Sequence, residues 1–239
     1  MEVFVGIDIG GSHISVGYID STGQIIGSAE VKIDSLTLEP SQLIPLIKKM
    51  IGESKEKDWV ICSIGVGCPG QSKNGVLVAA GNLPKFINFN IAGALGDVFT
   101  SIPILLLNDA DAAVSAEVWG KDSKDRYKDF TNIALLTLGT GIGCGLILNQ
   151  QLHQGSNGLI EAGHMMVATG ADSRKCPCGQ MGCVEAYSSA FNTSKRLAEA
   201  DVAGNTGVPP VDPNDGGKDV LARFGRGDET AVKVLEEVC

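Results

Sequence analysis

Nowhere does this chain cluster Lys and Arg as a nucleic-acid-binding face requires. Its 19 basic residues are outnumbered by 28 acidic ones, giving a formal charge of −9, and the function classes that depend on a polyanionic partner are disfavoured. It also lacks an apolar run long enough to cross a bilayer or to serve as a secretory leader. The N-terminal candidate, Val3 to Ile9, is broken by Asp8 and has only the length of a strand. A disulfide framework is missing too: seven cysteines, three of them crowded together, fit a reducing interior better than a secreted scaffold. A soluble, cytoplasmic protein is expected. The G-K-[ST] ending of a Walker A loop is absent as well. What is present is a chain of 239 residues, 44% hydrophobic, with 31 glycines. That is enough for one large or two small domains, rich in tight turns and close backbone approaches.

The densest chemistry lies between Glu161 and Glu185, EAGHMMVATGADSRKCPCGQMGCVE. Cys176, Cys178 and Cys183 form a C-x-C-x4-C cluster with His164 upstream, a sufficient ligand set for a closed tetrahedral zinc site. Pro177, Gly179 and Gly182 stand where a chain folding back on a metal needs turn residues. A disulfide is the weaker rival, because Cys176 and Cys178 are too close to pair easily and three thiols leave one over. Four protein ligands leave no open position, so the metal is read as structural rather than catalytic. Such a clip would fix Glu161, His164 and Glu185 relative to one another. Cys62, Cys68 and Cys144, in apolar or glycine-rich strand contexts, read as small buried residues.

Taken in order, residues 2–9, Ile14 to Ile19 and Gln24 to Ile33 read as a three-stranded meander. Gly10-Gly11-Ser12 turns between the first two strands, where backbone N–H groups can approach an anion. Asp8 at the strand end could face a magnesium-bound phosphate; an ordinary hairpin turn explains the glycines equally well. A helix is predicted over Leu43 to Ile51 with Gly52 as its stop, and a buried strand over Val60 to Val66 ending in the turn 67–70. Gly75 to Ala80 is a short strand, followed by a loop in which Asn82 is either a turn residue or a hydroxyl contact. Pro103 to Leu107 is a strand running into Asn108-Asp109-Ala110-Asp111, and Ala112 to Trp119 a helix stopped by Gly120. One acid at that junction, Asp109 or Asp111, would cap the helix, leaving the other free to act as a base. Ile133 to Leu138 is a buried strand, and the tract 139–145, G-T-G-I-G-C-G, a second strand–glycine turn–strand unit that echoes the first. The strand after it argues against a Rossmann assignment. Ala186 to Leu197 reads as a helix, 201–217 as a Gly/Pro-rich loop, and Thr230 to Val238 as a helix that stops without a cap, as if the sequence were cut short.

Five signals stand in order: D-I-G-G-S at 8–12, N-D-A-D at 108–111, G-T-G-I-G at 139–143, E-A-G-H at 161–164 and C-P-C-G-Q-M-G-C-V-E at 176–185. Together they resemble the ROK family (repressors, open reading frames and sugar kinases), in particular its bacterial-type glucokinases and N-acetylhexosamine kinases. The resemblance runs from Met1 to Cys239. It implies an α/β, actin-like ATPase (ribonuclease H-like) fold of two domains, 1–107 and 108–239, the second carrying the zinc loop 161–185 and incomplete at its C-terminus. Sugar and ATP would meet in the cleft between them. On matching positions, Asp109 would be the catalytic base. Asn108, Asp109, Glu161, His164 and Glu185, with Gly70 and Asn82 as helpers, would hold sugar hydroxyls. Asp8, Gly10, Gly11, Ser12, Gly139, Thr140 and Gly141 would surround the ATP phosphates and Mg2+. His164, Cys176, Cys178 and Cys183 would hold structural Zn2+, and one His164 nitrogen would face the sugar.

The reaction so implied is ATP-dependent phosphorylation of an aldohexose, most simply glucose at its 6-hydroxyl, with N-acetylglucosamine or N-acetylmannosamine as alternatives. Relatives are often dimers or tetramers, so a homo-oligomer without nucleic-acid or membrane partners is expected. His13 stands where relatives frequently carry Lys, Asn or another polar residue. Family members also continue past residue 239 with a further glycine turn and a terminal helix. Three rivals can be framed: a sugar-sensing regulator, for which a winged helix ahead of the first strand would be needed; an inactive sugar-binding fragment; and an actin-like ATPase or exopolyphosphatase, against which the zinc loop speaks.

Overall fold

Alternation organises the first strand. In β1 (Glu2–Ile9) the odd-numbered side chains Val3, Val5, Ile7 and Ile9 are all buried and the even ones are not, the pattern of a strand with one covered face. β2 (His13–Asp20) and β3 (Ile25–Lys32) follow antiparallel, completing the expected meander. β4 (Val60–Cys68) then lies parallel on the other side of β1, and β7 (Ile104–Asn108) parallel to β4. The sheet order is β3-β2-β1-β4-β7. Between β4 and β7, β5 (Gln71–Lys73) and β6 (Val76–Ala79) form a separate hairpin.

The computed structural model describes all residues except 121–123, 157, 159, 205–210, 213–216 and 237–239. By their contacts the described residues fall into two compact units, Met1–Leu135 with Gly145–Ile160, and Leu136–Cys144 with Glu161–Cys239. This differs from the expected boundary after Leu107, because the chain from Asn108 to Leu135 packs with the first unit. Among the described residues no helix is long and apolar enough to cross a membrane.

In the first unit, α1 (Pro40–Ser54) covers the buried face of the meander with Leu43, Ile44, Ile47, Met50 and Ile51. It runs through Gly52, the expected stop, because burial of Met50 and Ile51 outweighs the roughly 1 kcal/mol that a helical glycine costs. Its start lies earlier than predicted: Pro40 takes the first position and Gln42 Oε1 accepts from the Glu39 N–H at 2.9 Å. The fully buried Tyr18 bonds the end of this helix, its hydroxyl donating to the Ile51 carbonyl at 2.9 Å. α2 (Ile91–Val98) begins at Asn90, whose side chain accepts from Gly93 N–H. α3 (Asp109–Trp119) leaves β7 directly, and a short α4 (Lys124–Tyr127) follows.

β8 (Ile133–Leu138), β9 (Ile142–Leu148) and β10 (Gln151–Leu152) make a three-stranded sheet with β9 in the middle. Two expectations need correction here. β9 starts at Ile142, inside the tract read as a glycine turn, so Gly143 and Gly145 are strand residues. β8 is only half-buried, with Leu136 and Leu138 exposed.

In the second unit, α5 (Glu185–Ser188) and α6 (Ala190–Gly204) replace the single helix expected from Ala186, with a break at Ser189. α7 (Lys218–Gly225) and α8 (Glu229–Glu236) complete it. Residues 201–204 continue α6, whereas most of the loop expected at 201–217, and the last residues of the helix expected to reach Val238, lie outside the described residues. Leu197, Val211, Val220, Ala231 and Val234 form a small core. Beside it Arg223 donates two hydrogen bonds to the buried Asp201 carboxylate and a third, at 3.0 Å, to Asp228. Removing one member of a buried ion pair strands the other charge. Arg223→Ala is therefore expected to destabilise this unit by about 3–5 kcal/mol in chemical denaturation. An Arg223→Met, Asp201→Leu double variant should recover most of the loss, as an apolar pair of similar volume does.

Candidate active site and metal cluster

Three parallel strands end on one edge of the first sheet. Asp8 pairs in register with Gly67, and Cys68 with Asn108, so the carboxyl ends of β1, β4 and β7 bring Asp8, the 67–70 turn and Asn108-Asp109 together. Ligands gather at such strand ends in α/β sheets. Asn108, not Asp109 or Asp111, caps α3: its Oδ1 accepts from Ala110 N–H at 2.9 Å while its Nδ2 donates to the Gly70 carbonyl at 3.1 Å. This corrects the expectation of an acidic cap. The amide wins because the cap also needs a donor for Gly70, which a carboxylate lacks. At Gly70, φ is +92° and a Cβ would come 2.1 Å from the Ala79 carbonyl oxygen, so only glycine fits.

The two acids of N-D-A-D are thereby separated. Asp109, first residue of α3, is exposed at the helix N-terminus, where a negative charge is stabilised. Asp111 is 1% exposed, and its Oδ2 accepts from Gln154 Nε2 at 2.8 Å. Burial pushes the Asp111 carboxyl up from its ordinary range, opposed by the Gln154 hydrogen bond. Of the two, Asp109 is the acid a solvent-borne substrate can reach.

The first glycine turn closes with Gly10 N–H donating to His13 carbonyl at 2.9 Å. The His13 ring spans that turn, Nδ1 at 3.3 Å from Ser12 Oγ and Nε2 at 3.5 Å from Asp8 Oδ2. Partial burial raises the Asp8 carboxyl above its usual range; His13 pulls it down and the Asp109 charge raises it again. A bound cation would reverse that balance, so the pairing of Asp8 with a glycine turn suits Mg2+ carried by a phosphate. Asn82 lies beside Gly11, its carbonyl accepting from the buried Ser35 hydroxyl at 2.6 Å. Nothing in the sequence marked Ser35 as the residue that ties this loop to the turn.

The second unit holds the other candidates. Gly139, Thr140 and Gly141 form the turn between β8 and β9. Glu161, His164 and Glu185 lie on or beside the 3-10 turn Ala162–His164 and at the start of α5. Ligand atoms of His164, Cys176, Cys178 and Cys183 all fall within 4.8 Å of one another. Bonds of about 2.3 Å to sulfur and 2.0–2.1 Å to nitrogen put tetrahedral ligand atoms about 3.6–3.8 Å apart. His164 Nδ1 and Cys176 Sγ are 3.6 Å apart, and Cys178 Sγ and Cys183 Sγ 3.7 Å. The donor set and its spacing therefore fit zinc. His164 Nε2 turns instead toward Glu161, at 3.9 Å.

The loop folds as the turn residues require. Gly179 and Gly182 both have positive φ, and a Cβ at Gly182 would stand 1.8 Å from the Ala168 carbonyl oxygen. Of the remaining cysteines Cys68 and Cys144 are buried as expected, while Cys62 is only half-buried. Burial pushes the Cys68 thiol up to about 12, so it is inert at neutral pH.

Comparison with known proteins fits this arrangement. A glucokinase of Halalkalibacterium halodurans is 29% identical over 98% of this chain and 72% of its own length. An N-acetyl-D-glucosamine kinase of Salmonella paratyphi B is 30% identical over 77% of this chain, which spans 62% of that relative. The solved ROK hexokinase of Thermus thermophilus superposes with a TM-score of 0.75 at 26% identity, covering 97% of this chain and 72% of that one. The ROK family profile matches residues 4–239, and with the actin-like ATPase fold and the His/Cys cluster in place, the chain belongs to the ROK family.

Proposed function

We propose that this chain is an ATP-dependent hexose kinase that transfers the γ-phosphoryl group of ATP to the 6-hydroxyl of an aldohexose. The observation that carries this reading is Asp109: an exposed carboxylate at the N-terminus of α3, on the same sheet edge as Asp8 and held by a cap that also bonds Gly70. A sugar hydroxyl is a weak nucleophile, and phosphoryl transfer is catalysed mainly by positioning and by offsetting charge. Asp109 takes the hydroxyl proton as the oxygen attacks phosphorus and the bond to the departing ADP oxygen breaks. Asn108 uses its cap bonds to set the direction of that carboxylate. The N–H groups of the turns at 10–12 and 139–141 bind phosphoryl oxygens, and Asp8 would face the Mg2+ carried by the phosphate, which would offset phosphoryl charge. Asn82, Glu161, His164 and Glu185 provide acceptors and donors for the remaining sugar hydroxyls. His164, Cys176, Cys178 and Cys183 would hold Zn2+, which would supply no chemistry to the transfer and would lock the His164 ring.

Glucose is the substrate favoured by the Asn82-Leu83-Pro84 loop. The 30% identity to an N-acetyl-D-glucosamine kinase supports an N-acetylhexosamine as the second reading. Coupled ADP release with ATP, Mg2+ and a panel of hexoses and N-acetylhexosamines tests both. Release that depends on one sugar names the substrate, whereas a flat panel from protein carrying its zinc would defeat the kinase reading.

A further inference from the structure

The second glycine turn is held from three directions by the stretch of chain that carries the metal cluster. Glu185 Oε2 accepts a hydrogen bond from the Ile142 N–H at 2.9 Å. The Gly139 carbonyl accepts from Ala190 N–H at 2.8 Å. A Cβ at Gly163 would meet the Ile142 carbonyl oxygen at 2.3 Å, so the backbone just before His164 lies directly against the turn.

Glu185 is the polar member of this clamp, and it reaches both ways. Its Oε2 sits where a Cβ on Gly141 would come within 2.6 Å, and its Oε1 stands 3.9 Å from Cys176 Sγ. Its backbone is fixed as well: the buried Asn192 donates from Nδ2 to the Glu185 carbonyl at 3.0 Å and to Ser189 Oγ at 2.9 Å. A carboxylate receiving a backbone N–H makes a charge-assisted bond, stronger than a neutral one. Such a strut works only while its foot is fixed, and its foot stands two residues beyond Cys183.

We infer that Glu185 is a positioning residue for nucleotide: through it, metal held by His164 and the three cysteines fixes the 139–142 turn in the conformation that binds phosphate. Metal occupancy then sets nucleotide affinity even when no sugar is bound. The inference rests on the kinase reading above. Its physical basis is entropic. A turn with two glycines visits many conformations, few of which converge their N–H groups, and ordering it in advance removes that cost from binding.

The test is calorimetric titration of MgATP without sugar, alongside hydrogen exchange of the 139–142 amides. Native chain carrying zinc, the same chain stripped of metal, and Glu185→Ala and Glu185→Gln with zinc content verified are compared. Stripping the metal is expected to weaken MgATP by about tenfold or more, the loss of one charge-assisted hydrogen bond, and to speed exchange at Ile142. Glu185→Ala with zinc retained should do the same. Glu185→Gln, which keeps a carbonyl acceptor, should restore most of the affinity. A role confined to sugar contact would move none of these readings. Should Glu185→Ala lose its metal, Gly141→Ala displaces the carboxylate and leaves all four ligands, with the same loss expected. Full MgATP affinity and unchanged Ile142 protection in the zinc-loaded Glu185→Ala protein would overturn the strut. If the native zinc-loaded chain binds no MgATP, the kinase reading itself fails and this proposal with it.

Discussion

Replacing Asp109 by Asn is expected to lower kcat by about 10²–10⁴-fold, the usual worth of a general base, while sugar affinity changes only a few-fold. The substitution is nearly isosteric. Asp109 Oδ1 accepts from Ala110 N–H at 2.9 Å, and an Asn carbonyl can do the same. Capping of α3 rests on Asn108 and is untouched, so the fold is expected to lose only the charge–dipole contribution, about 0.3–1 kcal/mol. What disappears is the capacity to take a proton. Steady-state kinetics with calorimetric sugar binding separate the two: a fall in kcat at constant affinity marks a group needed in the transition state.

Asp111 is the internal control. Asp111→Asn keeps an acceptor for Gln154 and removes a charge that burial already disfavours, so turnover is expected to stay within a few-fold of native. The opposite ranking, with Asp109→Asn active and Asp111→Asn dead, would assign the base to the buried acid.

Much of this site could be read from residue order, and the reasons differ from place to place. The meander was legible because β1 alternates cleanly and because Asp20 to Gly23 is a turn in any context. The metal cluster was legible because its ligands lie within a short stretch and its glycines have no other steric excuse. α2 was not, since Gly93 and Gly96 weaken its helical signal and the Asn90 cap is recognisable only once the helix is seen. The polar β5, Gln71–Lys73, has no strand signal of its own and exists by pairing with β6. At 108–111 the sequence offers three polar residues with equal claims; burial of Asp111 and the Gly70 carbonyl decide among them. The Glu185–Ile142 bond joins residues far apart in the chain, and no local pattern announces it.

Removing the metal should produce the other large effect. Chelation, or Cys183→Ser, is expected to abolish measurable sugar binding and to lower the stability of the second unit by several kcal/mol. The upper bound is the ~10–16 kcal/mol that zinc supplies where it holds an entire small domain together. The effect here should be smaller, because α6, α7 and α8 have an apolar core and the Asp201–Arg223 pair of their own. Without a cation, three thiols and an imidazole are left crowded, and burial pushes the Cys176 thiol up to about 12. Zinc displaces the thiol protons as it binds, and without it no coordinate bond joins the His164 ring to the three sulfurs. The loop then keeps bonds that do not involve the metal, such as Val167 N–H to the Gly182 carbonyl at 2.8 Å and Arg174 Nη1 to Glu199 at 2.9 Å. Metal analysis, thermal unfolding and sugar titration should fall together and recover together when zinc is returned. Gly182→Ala separates geometry from ligation, since it leaves every ligand in place and drives a Cβ into the Ala168 carbonyl. It should reproduce the loss of sugar binding with zinc affinity reduced. Native sugar binding in a metal-free Cys183→Ser protein would show that Glu161, His164 and Glu185 hold their places without the clip.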